Sequence, residues 1–249
     1  MIHYDRFGEG DVLVLIHGFC ENNTCFDKQV LLLKEHCKII LPDLPGAGKS
    51  STIENTTLES YADSMAELLM ALEIKDTTVI GHSMGGYVTL ALAKKYPHLI
   101  KRFGLLHSTA KADDDTRKSK RNQAIKLIDE KGAKFYATNF IPPLFNPATP
   151  IEVAKPYIKI GETFPASGLK NALAAMRDRE DSTKFISEVD KPIFWGIGEF
   201  DALIPSDVML QQALICKQSY IAHFKQSGHM SHIEEPEILA KQILQFMVS

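Results

Sequence analysis

Residues 77–96 place a strand-like run, a glycine-bounded serine turn and a helix-like stretch in immediate succession. The apolar run Thr77–Gly81 leads into Gly81-His-Ser-Met-Gly85, and a helical pattern continues from about Met84 to Tyr96. A G-x-S-x-G turn between a strand and a helix raises the serine hydroxyl on a tight bend, where larger side chains two residues away would collide. The segment therefore predicts that Ser83 is presented at the carboxyl end of a strand.

Similar apolar runs alternate with helical patterns along most of the chain. This alternation is typical of βαβ units around a mainly parallel sheet. The predicted strands are Val12–His17, Lys38–Pro42, Thr77–Gly81, Arg102–His107, Pro192–Gly196 and Tyr220–Lys225. A hairpin from Ile2 to Phe7, turning at Gly8–Gly10, is expected to add an antiparallel edge.

The clearest helix signal lies at residues 56–72. Thr56 and Glu59 form a capping-box pattern, in which a hydroxyl and a carboxylate satisfy free amides at a helix start. Apolar residues then recur at steps of three and four, namely Leu58, Tyr61, Ala62, Met65, Leu68, Leu69 and Leu72. Such spacing defines one apolar helix face, which we expect to pack against the sheet.

The alternation stops between about Thr109 and Val189. This stretch carries helical patterns near Ala124–Ile128 and Gly168–Arg177, separated by a proline-rich turn. We therefore expect residues 1–109 and 190–249 to form an α/β core, and residues 110–189 to form a helical cap inserted between strands.

Two groups of charges lie in this predicted cap. The basic run Arg117–Arg121 could contact a phosphate, but Asp113–Asp115 precede it and offset its charge, so the sequence favours a solvated helix face. Arg177 and Arg179 could bind a substrate carboxylate or form a salt bridge between cap and core. The salt bridge is the favoured interpretation.

Polar motifs follow the last two predicted strands. Gly198-Glu-Phe-Asp201 comes after one strand, and Gly228-His229 comes after the next. Parallel strands bring their carboxyl ends to one edge of the sheet, so His229 can serve as the base for Ser83 and Asp201 can orient its ring. Ser83, Asp201 and His229 are therefore the predicted catalytic residues.

Other residues compete for these roles. His232 lies three positions after His229 and could be the base instead. Glu199, Asp207 or the Asp113–Asp115 cluster could supply the acid. His229 is preferred because a glycine precedes it, and Asp201 because it matches the motif position.

Backbone amides are predicted to stabilise a developing oxyanion. The Met84 amide lies at a helix N-terminus directly after Ser83, where the helix dipole is positive. The second candidate is the Phe19 amide in His17-Gly-Phe19, which follows the first long strand. Gly18 is expected to let the backbone approach a substrate.

Two further features of the sequence have both a functional and a structural interpretation. His82 and His107 could line a pocket, but a packed structural histidine is the favoured interpretation for each. Gly46-Ala-Gly-Lys-Ser50 resembles the end of a phosphate-binding loop, but that pattern needs glycine where Asp43 stands. A carboxylate there would repel phosphate, so nucleotide binding is rejected.

Composition excludes several classes of protein. The 249 residues include 28 Lys and Arg against 31 Asp and Glu, a net charge of −3, which gives no field that would attract nucleic acid. The longest apolar run, Val12–Ile16, is far below the roughly 18 residues of a membrane span. No secretory signal is visible, so we expect a cytoplasmic protein with four reduced cysteines, no nucleic-acid or membrane partner and no metal. Oligomeric state is left open.

These motifs, in this order, resemble the α/β-hydrolase fold family. The resemblance runs from His17-Gly-Phe19 through Asp43-Leu-Pro-Gly46 and the Ser83 turn to Asp201 and His229. It implies an α/β fold with a mainly parallel, twisted, eight-stranded sheet, helices on both faces and a helical cap, and a serine nucleophile without cofactor. The haloalkane dehalogenase branch is disfavoured because it carries Asp where Ser83 stands.

The resemblance implies hydrolysis of a small-molecule carboxylic ester through an acyl-enzyme. Apolar residues near the predicted cap suggest a small, mostly apolar substrate, and the predicted substrate contacts are Phe140, Leu144, Phe145 and Leu203. Lactone hydrolysis and carbon–carbon bond hydrolysis remain alternatives within the family. A ligand receptor that keeps the three residues but turns over slowly is an alternative of another class.

Overall fold

A twisted, mainly parallel sheet forms the centre of the protein in the computed structural model, which describes residues 2–54 and 56–249. Within those residues the sheet has seven strands in the order β1-β3-β2-β4-β5-β6-β7. The strands are β1 (Tyr4–Phe7), β2 (Val12–Ile16), β3 (Lys38–Pro42), β4 (Thr77–His82), β5 (Ile100–Leu106), β6 (Ile193–Gly198) and β7 (Ser219–Phe224). Every neighbouring pair is parallel except β1 and β3.

Two expectations about the sheet need correction. The resemblance implied eight strands, whereas the described residues form seven. The antiparallel edge is present, but β1 pairs with β3, with Tyr4 opposite Pro42, and does not form a hairpin with β2. Both edges of β2 are already occupied by β3 and β4, so the first strand can join only at the outer edge of β3.

Helices cover both faces of this sheet. They are α1 (Asp27–Leu33), α2 (Leu58–Ala71), α3 (Met84–Lys95), α4 (Asp115–Phe140), α5 (Ile151–Gly161), α6 (Ala166–Arg177), α7 (Thr183–Glu188), α8 (Ser206–Ala213), α9 (Ser231–Glu234) and α10 (Pro236–Val248). In the described part of the chain, no helix is both long enough and apolar enough to pass through a membrane.

The alternation of side chains along β2 builds two separate cores. Val14 and Ile16 belong to the apolar cluster on one face, whereas Leu13 and Leu15 belong to the cluster on the other. All four are buried. A strand covered on both faces needs apolar residues at every position, which explains the continuous run in the sequence.

The start of α2 differs by one residue from the predicted cap. Thr57 is the N-cap, and its hydroxyl accepts from the Ser60 amide while the Ser60 hydroxyl accepts from the Thr57 amide. Thr56 instead donates to the Ile53 carbonyl, 2.9 Å away. A serine can close the capping box as well as a carboxylate, so the Thr56 and Glu59 pattern was misplaced. The predicted apolar face is buried, apart from the half-buried Leu72.

A buried carboxylate organises the turn after β3. Asp43 accepts from the amides of Asn23 and Lys49, both at 2.9 Å. Gly48 has φ +52°, and a Cβ there would collide with the Asp43 carboxylate. The Asp43 side chain therefore fills the turn in which the rejected phosphate-loop pattern would have placed a phosphate.

Four helices, α4 to α7, lie between β5 and β6 and form the helical insertion (residues 115–188). Within α4 the backbone breaks at Gly132, where φ is 85°. Arg179 forms an ion pair with Asp113 at 2.7 Å, and its guanidinium lies 4.1 Å from the centre of the Tyr87 ring in α3. The predicted salt bridge between cap and core is not found for either arginine, because Asp113, like the Asp178 that pairs with Arg177, lies within the predicted cap. The contact with Tyr87 connects Arg179 to the core instead. The division into core and cap stays a prediction.

Candidate active site

Ser83 lies on the sharp bend between β4 and α3. Its backbone has φ +50° and ψ −114°, a region that non-glycine residues rarely adopt. The Ser83 amide donates to the Leu106 carbonyl at 2.9 Å, and the Ser108 hydroxyl donates to the Ser83 carbonyl at 2.7 Å. These bonds hold the bend in its unusual conformation.

The two positions that flank the Ser83 turn have room only for glycine. A Cβ at Gly81 would collide with the backbone of Gly85, and a Cβ at Gly85 would collide with the carbonyl of Ile16. The backbone of α3 therefore approaches the ends of β2 and β4 more closely than any side chain would allow. This geometry agrees with the steric argument made from the sequence.

Asp201 and His229 meet at the same edge of the sheet. Asp201 follows β6 and His229 follows β7, and the His229 Nδ1 atom donates to Asp201 Oδ2 at 2.8 Å. The other carboxylate oxygen of Asp201 accepts the amides of Leu203 and Ile204 at 2.9 and 3.0 Å. The Asp201 carboxylate is thus held by amides of its own loop, and it holds the ring of His229 in place.

One cavity of about 410 Å³ is lined by both Ser83 and His229. The Nε2 atom of His229 is buried and has no hydrogen-bond partner among residues 2–54 and 56–249, Ser83 included. Catalytic hydrogen bonds are often long before substrate binds. The structure therefore brings the predicted nucleophile and base to one cavity, with the acid behind the base.

The competing residues lie elsewhere. His232 is fully buried, and its Nε2 atom faces Glu21 at 3.2 Å rather than the cavity. Glu199 is exposed and pairs with His223, Asp113 pairs with Arg179, and Asp207 is exposed in the first turn of α8. Among the carboxylates of the described residues, only Asp201 forms a hydrogen bond with the His229 ring.

His107 is a second support for the acid. Its Nδ1 atom lies 3.2 Å from Asp201 Oδ2, and its Nε2 atom accepts from the Ser231 hydroxyl at 2.7 Å. Burial lowers the pKa of His107 to about 3, so the ring is neutral. Burial alone would raise the pKa of Asp201, but His229 and His107 outweigh it and hold this pKa well below its usual value. The acid therefore stays ionised.

Glu21 links the loop after β2 to the loop of His229. Its Oε2 atom accepts from the Gly18 amide at 2.6 Å and from His82 Nδ1 at 2.8 Å, and His82 Nε2 donates to the His229 carbonyl at 2.8 Å. Because both partners of His82 only accept, both ring nitrogens carry protons. Burial alone would lower the pKa of His82, but Glu21 raises it above its usual value. The sequence analysis did not identify Glu21.

Two buried groups of possible metal ligands occur among the described residues. They are Glu21, His82 and His232, and His107, Asp201 and His229, with ligand atoms within 4.8 Å in each group. The members of each group are distant along the chain, so sequence spacing does not reveal them. The nitrogens that face the carboxylates are hydrogen-bond donors, so we assign no metal to either group.

The predicted oxyanion donors flank the cavity. Phe19 lines it, and Met84 is the first residue of α3, directly after Ser83. Neither amide donates to another residue in the described part of the chain. The explanation offered for Gly18 needs correction, because a Cβ there would lie 2.7 Å from both Glu21 and His82. Gly18 is small to accommodate that buried pair.

The structure separates the four predicted substrate contacts. Phe140 and Leu203 line the cavity. Leu144 and Phe145 are buried and do not line it, so their assignment is not supported. The Leu144 carbonyl instead accepts from the His229 amide at 2.6 Å. These residues support the base from behind.

The basic run also differs from the expectation. Arg117, Lys120 and Arg121 line the cavity together with Ser83 and His229. The interpretation as a solvated helix face holds for Lys118. Lys120 is also exposed, and Arg117 and Arg121 are half-buried, but these three side chains line the cavity as well. His82 and His107 do not line the cavity, in agreement with their structural interpretation.

Comparisons with known proteins agree with this architecture. A family model described as alpha/beta hydrolase fold matches residues 11–127. A pimeloyl-[acyl-carrier protein] methyl ester esterase of Vibrio vulnificus is 25% identical over 266 residues, covering 98% of this chain and 97% of the relative. A solved esterase from Thermogutta terrifontis with malate bound is 28% identical, with a TM-score of 0.94 over 99% of this chain and 93% of that one.

Other curated relatives match over shorter segments. An uncharacterized protein of Mycobacterium tuberculosis is 35% identical over 100 residues, which is 40% of this chain and 29% of the relative. The chain therefore spans less than a third of the length of the first curated relatives that it matches. The family model, the sheet topology and the full-length structural similarity together show that the chain has the α/β-hydrolase fold.

Proposed function

We propose that this protein is a serine hydrolase that cleaves a carboxylic ester of a small, mostly apolar substrate through Ser83, His229 and Asp201. The observation that carries the proposal is the pair of environments around the two ring nitrogens of His229. Its Nε2 atom is buried without a partner among residues 2–54 and 56–249, beside a cavity that Ser83 also lines, while Asp201 holds its Nδ1 atom. An imidazole ring that is held at Nδ1 and free at Nε2 is suited to take a proton from Ser83.

The first half-reaction forms an acyl-enzyme. His229 Nε2 removes the Ser83 proton as Oγ attacks the ester carbonyl carbon, and the resulting imidazolium then protonates the leaving alcohol. Asp201 stays ionised, because His229 and His107 hold its pKa below the usual range, and it stabilises the imidazolium. Asp201 therefore does not take the proton itself.

The tetrahedral oxygen is stabilised by two amides. The Phe19 and Met84 N–H groups make no other hydrogen bond among the described residues, so they are available to the oxyanion. Met84 adds the positive end of the α3 dipole. Removing one such donor typically costs about 10² to 10³ in kcat.

Water completes the cycle. His229 removes a proton from a water molecule that attacks the acyl carbon, and the acid is released as Ser83 regains its proton. The residues named here supply each proton transfer. The cavity of about 410 Å³ is the size of a small-molecule site. Two relatives named as esterases support an ester as the substrate.

Labelling tests the proposal directly. We expect a fluorophosphonate to label Ser83 and Ser83→Ala to lose both labelling and esterase activity, whereas Ser51→Ala, at an exposed position, should keep both. Labelling of another residue or an active Ser83→Ala variant would contradict the proposal. Turnover of p-nitrophenyl esters above about 1 per second separates a catalyst from a receptor.

A further inference from the structure

Three basic side chains of α4 form part of the wall of the Ser83 cavity. They are Arg117, Lys120 and Arg121, which occupy neighbouring positions on one side of the helix. No Asp or Glu lines this cavity within the described residues. The remaining wall of the cavity is largely apolar and includes the rings of Phe19 and Phe140. The cavity thus combines an apolar surface with an excess of positive charge.

The partners of these three side chains leave that charge largely uncompensated. Arg117 donates to the Leu203 carbonyl at 3.3 Å, a neutral acceptor. Arg121 lies 3.1 Å from Asp113, but the same carboxylate also pairs with Arg179 at 2.7 Å. Lys120 makes no ion pair or hydrogen bond with any described residue. Asp113 therefore pairs with two cations, Arg121 and Arg179, whereas the side chains of Arg117 and Lys120 have no carboxylate partner among the described residues.

The stability of α4 does not explain these residues. Arg117 lies in the first turn of the helix, where the helix dipole disfavours positive charge, and Lys120 and Arg121 follow in the second turn. Arg117 and Arg121 are also four positions apart, a spacing at which like charges are mildly destabilising. Arg117 and Arg121 are half-buried and Lys120 is exposed, yet all three line the cavity, whereas the exposed Lys118 does not.

We propose that this cluster binds an anionic oxygen group of the substrate, a carboxylate or a phosphate, so that the preferred substrates are esters with a negative charge beyond an apolar segment. The inference rests on the proposed ester hydrolysis at Ser83. Guanidinium and ammonium groups form charge-assisted hydrogen bonds with such oxyanions. The charge is remote from the ester carbon, so it selects the substrate and takes no part in bond cleavage.

Matched ester pairs test the proposal. Monoethyl adipate and ethyl 5-phosphonopentanoate each compare with ethyl hexanoate, from which they differ by an anionic group in place of a methyl group. The butanoate ester of 4-hydroxybutanoate compares with butyl butanoate and places the charge on the alcohol side. We expect kcat/KM for at least one anionic ester to exceed that of its neutral partner about tenfold or more, as a charge-assisted bond allows.

Variants locate the source of this preference. We expect Arg117→Gln and Lys120→Gln each to lower the anionic-to-neutral ratio of kcat/KM severalfold, and the double variant to abolish the preference. Lys118→Gln is the matched control, since Lys118 is exposed on the same turn and does not line the cavity. The ratio is taken within one preparation, so partial unfolding of a variant does not alter it.

The outcomes separate the two proposals. Two results would overturn the anionic subsite and leave the proposed hydrolase intact. One is Ser83-dependent hydrolysis of neutral esters with anionic-to-neutral ratios of kcat/KM near 1 for all three pairs. The other is a preference for anionic esters that survives in the double variant. Hydrolysis that persists in Ser83→Ala, or no hydrolysis of any ester, would overturn the proposed function itself. A preference that declines between about 0.01 and 0.5 M NaCl would add support, because salt screens such attractions.

Discussion

At the residue scale, the four histidines near Asp201 and Glu21 differ in protonation because their partners differ. His82 faces two acceptors and is a cation, whereas His107 accepts from Ser231 and is neutral. Burial, together with the nearby His82 cation, lowers the pKa of His232 to about 4. Among the described residues, His229 and His232 each have a carboxylate on one nitrogen and a buried, unpartnered second nitrogen, but only His229 lines the cavity with Ser83.

This difference predicts unequal effects of two histidine substitutions. We expect His229→Gln to lower kcat on the order of 10³-fold or more, because the proton acceptor is lost. His232→Gln, three residues away, should lower kcat less than about tenfold, because its ring faces Glu21 rather than the cavity. Steady-state kinetics with a p-nitrophenyl ester measures both. A greater loss in His232→Gln, with the fold intact by circular dichroism, would reverse the assignment of the base.

The sequence could predict the residues that motifs mark and could not predict those that depend on distant contacts. Ser83, Asp201 and His229 follow strands with recognisable turn glycines, so parallel pairing alone brings them to one edge. Glu21 carries no such signal, since its partner His82 is 61 positions away. The acidic residues before Arg117 suggested local neutralisation, and Asp113 does pair with Arg121. The same carboxylate also pairs with Arg179, which only the folded chain brings near.

At the element scale, Glu21 and His82 connect three loops that meet behind the cavity. The chain of contacts runs from the Gly18 amide through Glu21 and His82 to the His229 carbonyl. It therefore joins the loop that carries the Phe19 amide to the loop that carries the base. Each contact is buried, so loss of one partner leaves a polar group uncompensated.

We expect Glu21→Gln to reduce kcat about tenfold or more with a smaller change in KM, because the Phe19 amide and the His229 ring lose their common support. Steady-state kinetics and circular dichroism on the same preparation test this. Glu199→Gln is the matched control, since Glu199 also pairs with a histidine but is exposed. An unchanged kcat in folded Glu21→Gln would show that the loops hold their positions without this link.

The elements themselves were largely predictable. Strand boundaries agree with the structure to within one or two residues, because continuous apolar runs mark strands buried on both faces. The pairing of β1 with β3 was not predictable from a local turn signal at Gly8–Gly10, since it depends on which sheet edges remain free. In the insertion, α5 and α7 gave no periodic signal that the sequence analysis recognised.

At the scale of the whole molecule, the buried titratable groups couple folding to pH. Burial lowers the pKa of His107 to about 3 and, with His82, that of His232 to about 4, so both are neutral in the folded state near neutral pH. Unfolded, each regains a pKa near 6.5 and binds a proton below that pH. Between about pH 6.5 and 4 the unfolded chain thus binds more protons, and stability falls as pH falls.

Carboxylates extend this trend to lower pH, and one histidine opposes it. The pKa values of Glu21 and Asp201 lie well below their usual range, despite the opposing effect of burial, because of the histidines beside them. Their stabilisation is present above about pH 4 and is lost below it. The raised pKa of His82 acts in the other direction, since its stabilisation is complete below about pH 6.5 and is lost as pH rises through the folded-state pKa.

We therefore expect the free energy of unfolding to decrease by about 2 kcal/mol or more between pH 6 and pH 5, since His107 and His232 each contribute close to 1.4 kcal/mol per pH unit in that interval. Burial also lowers the pKa of His17, which acts in the same direction. His82 is protonated in both states over most of this interval and changes the sum little. Urea unfolding at the two pH values measures the difference.

His107→Asn should reduce this difference by about 1 kcal/mol, whatever its effect on absolute stability, and His98→Asn, at an exposed position, serves as the control. An unchanged pH difference in His107→Asn would show that the ring of His107 is already protonated in the folded protein, contrary to the hydrogen bonds it makes with Asp201 and Ser231.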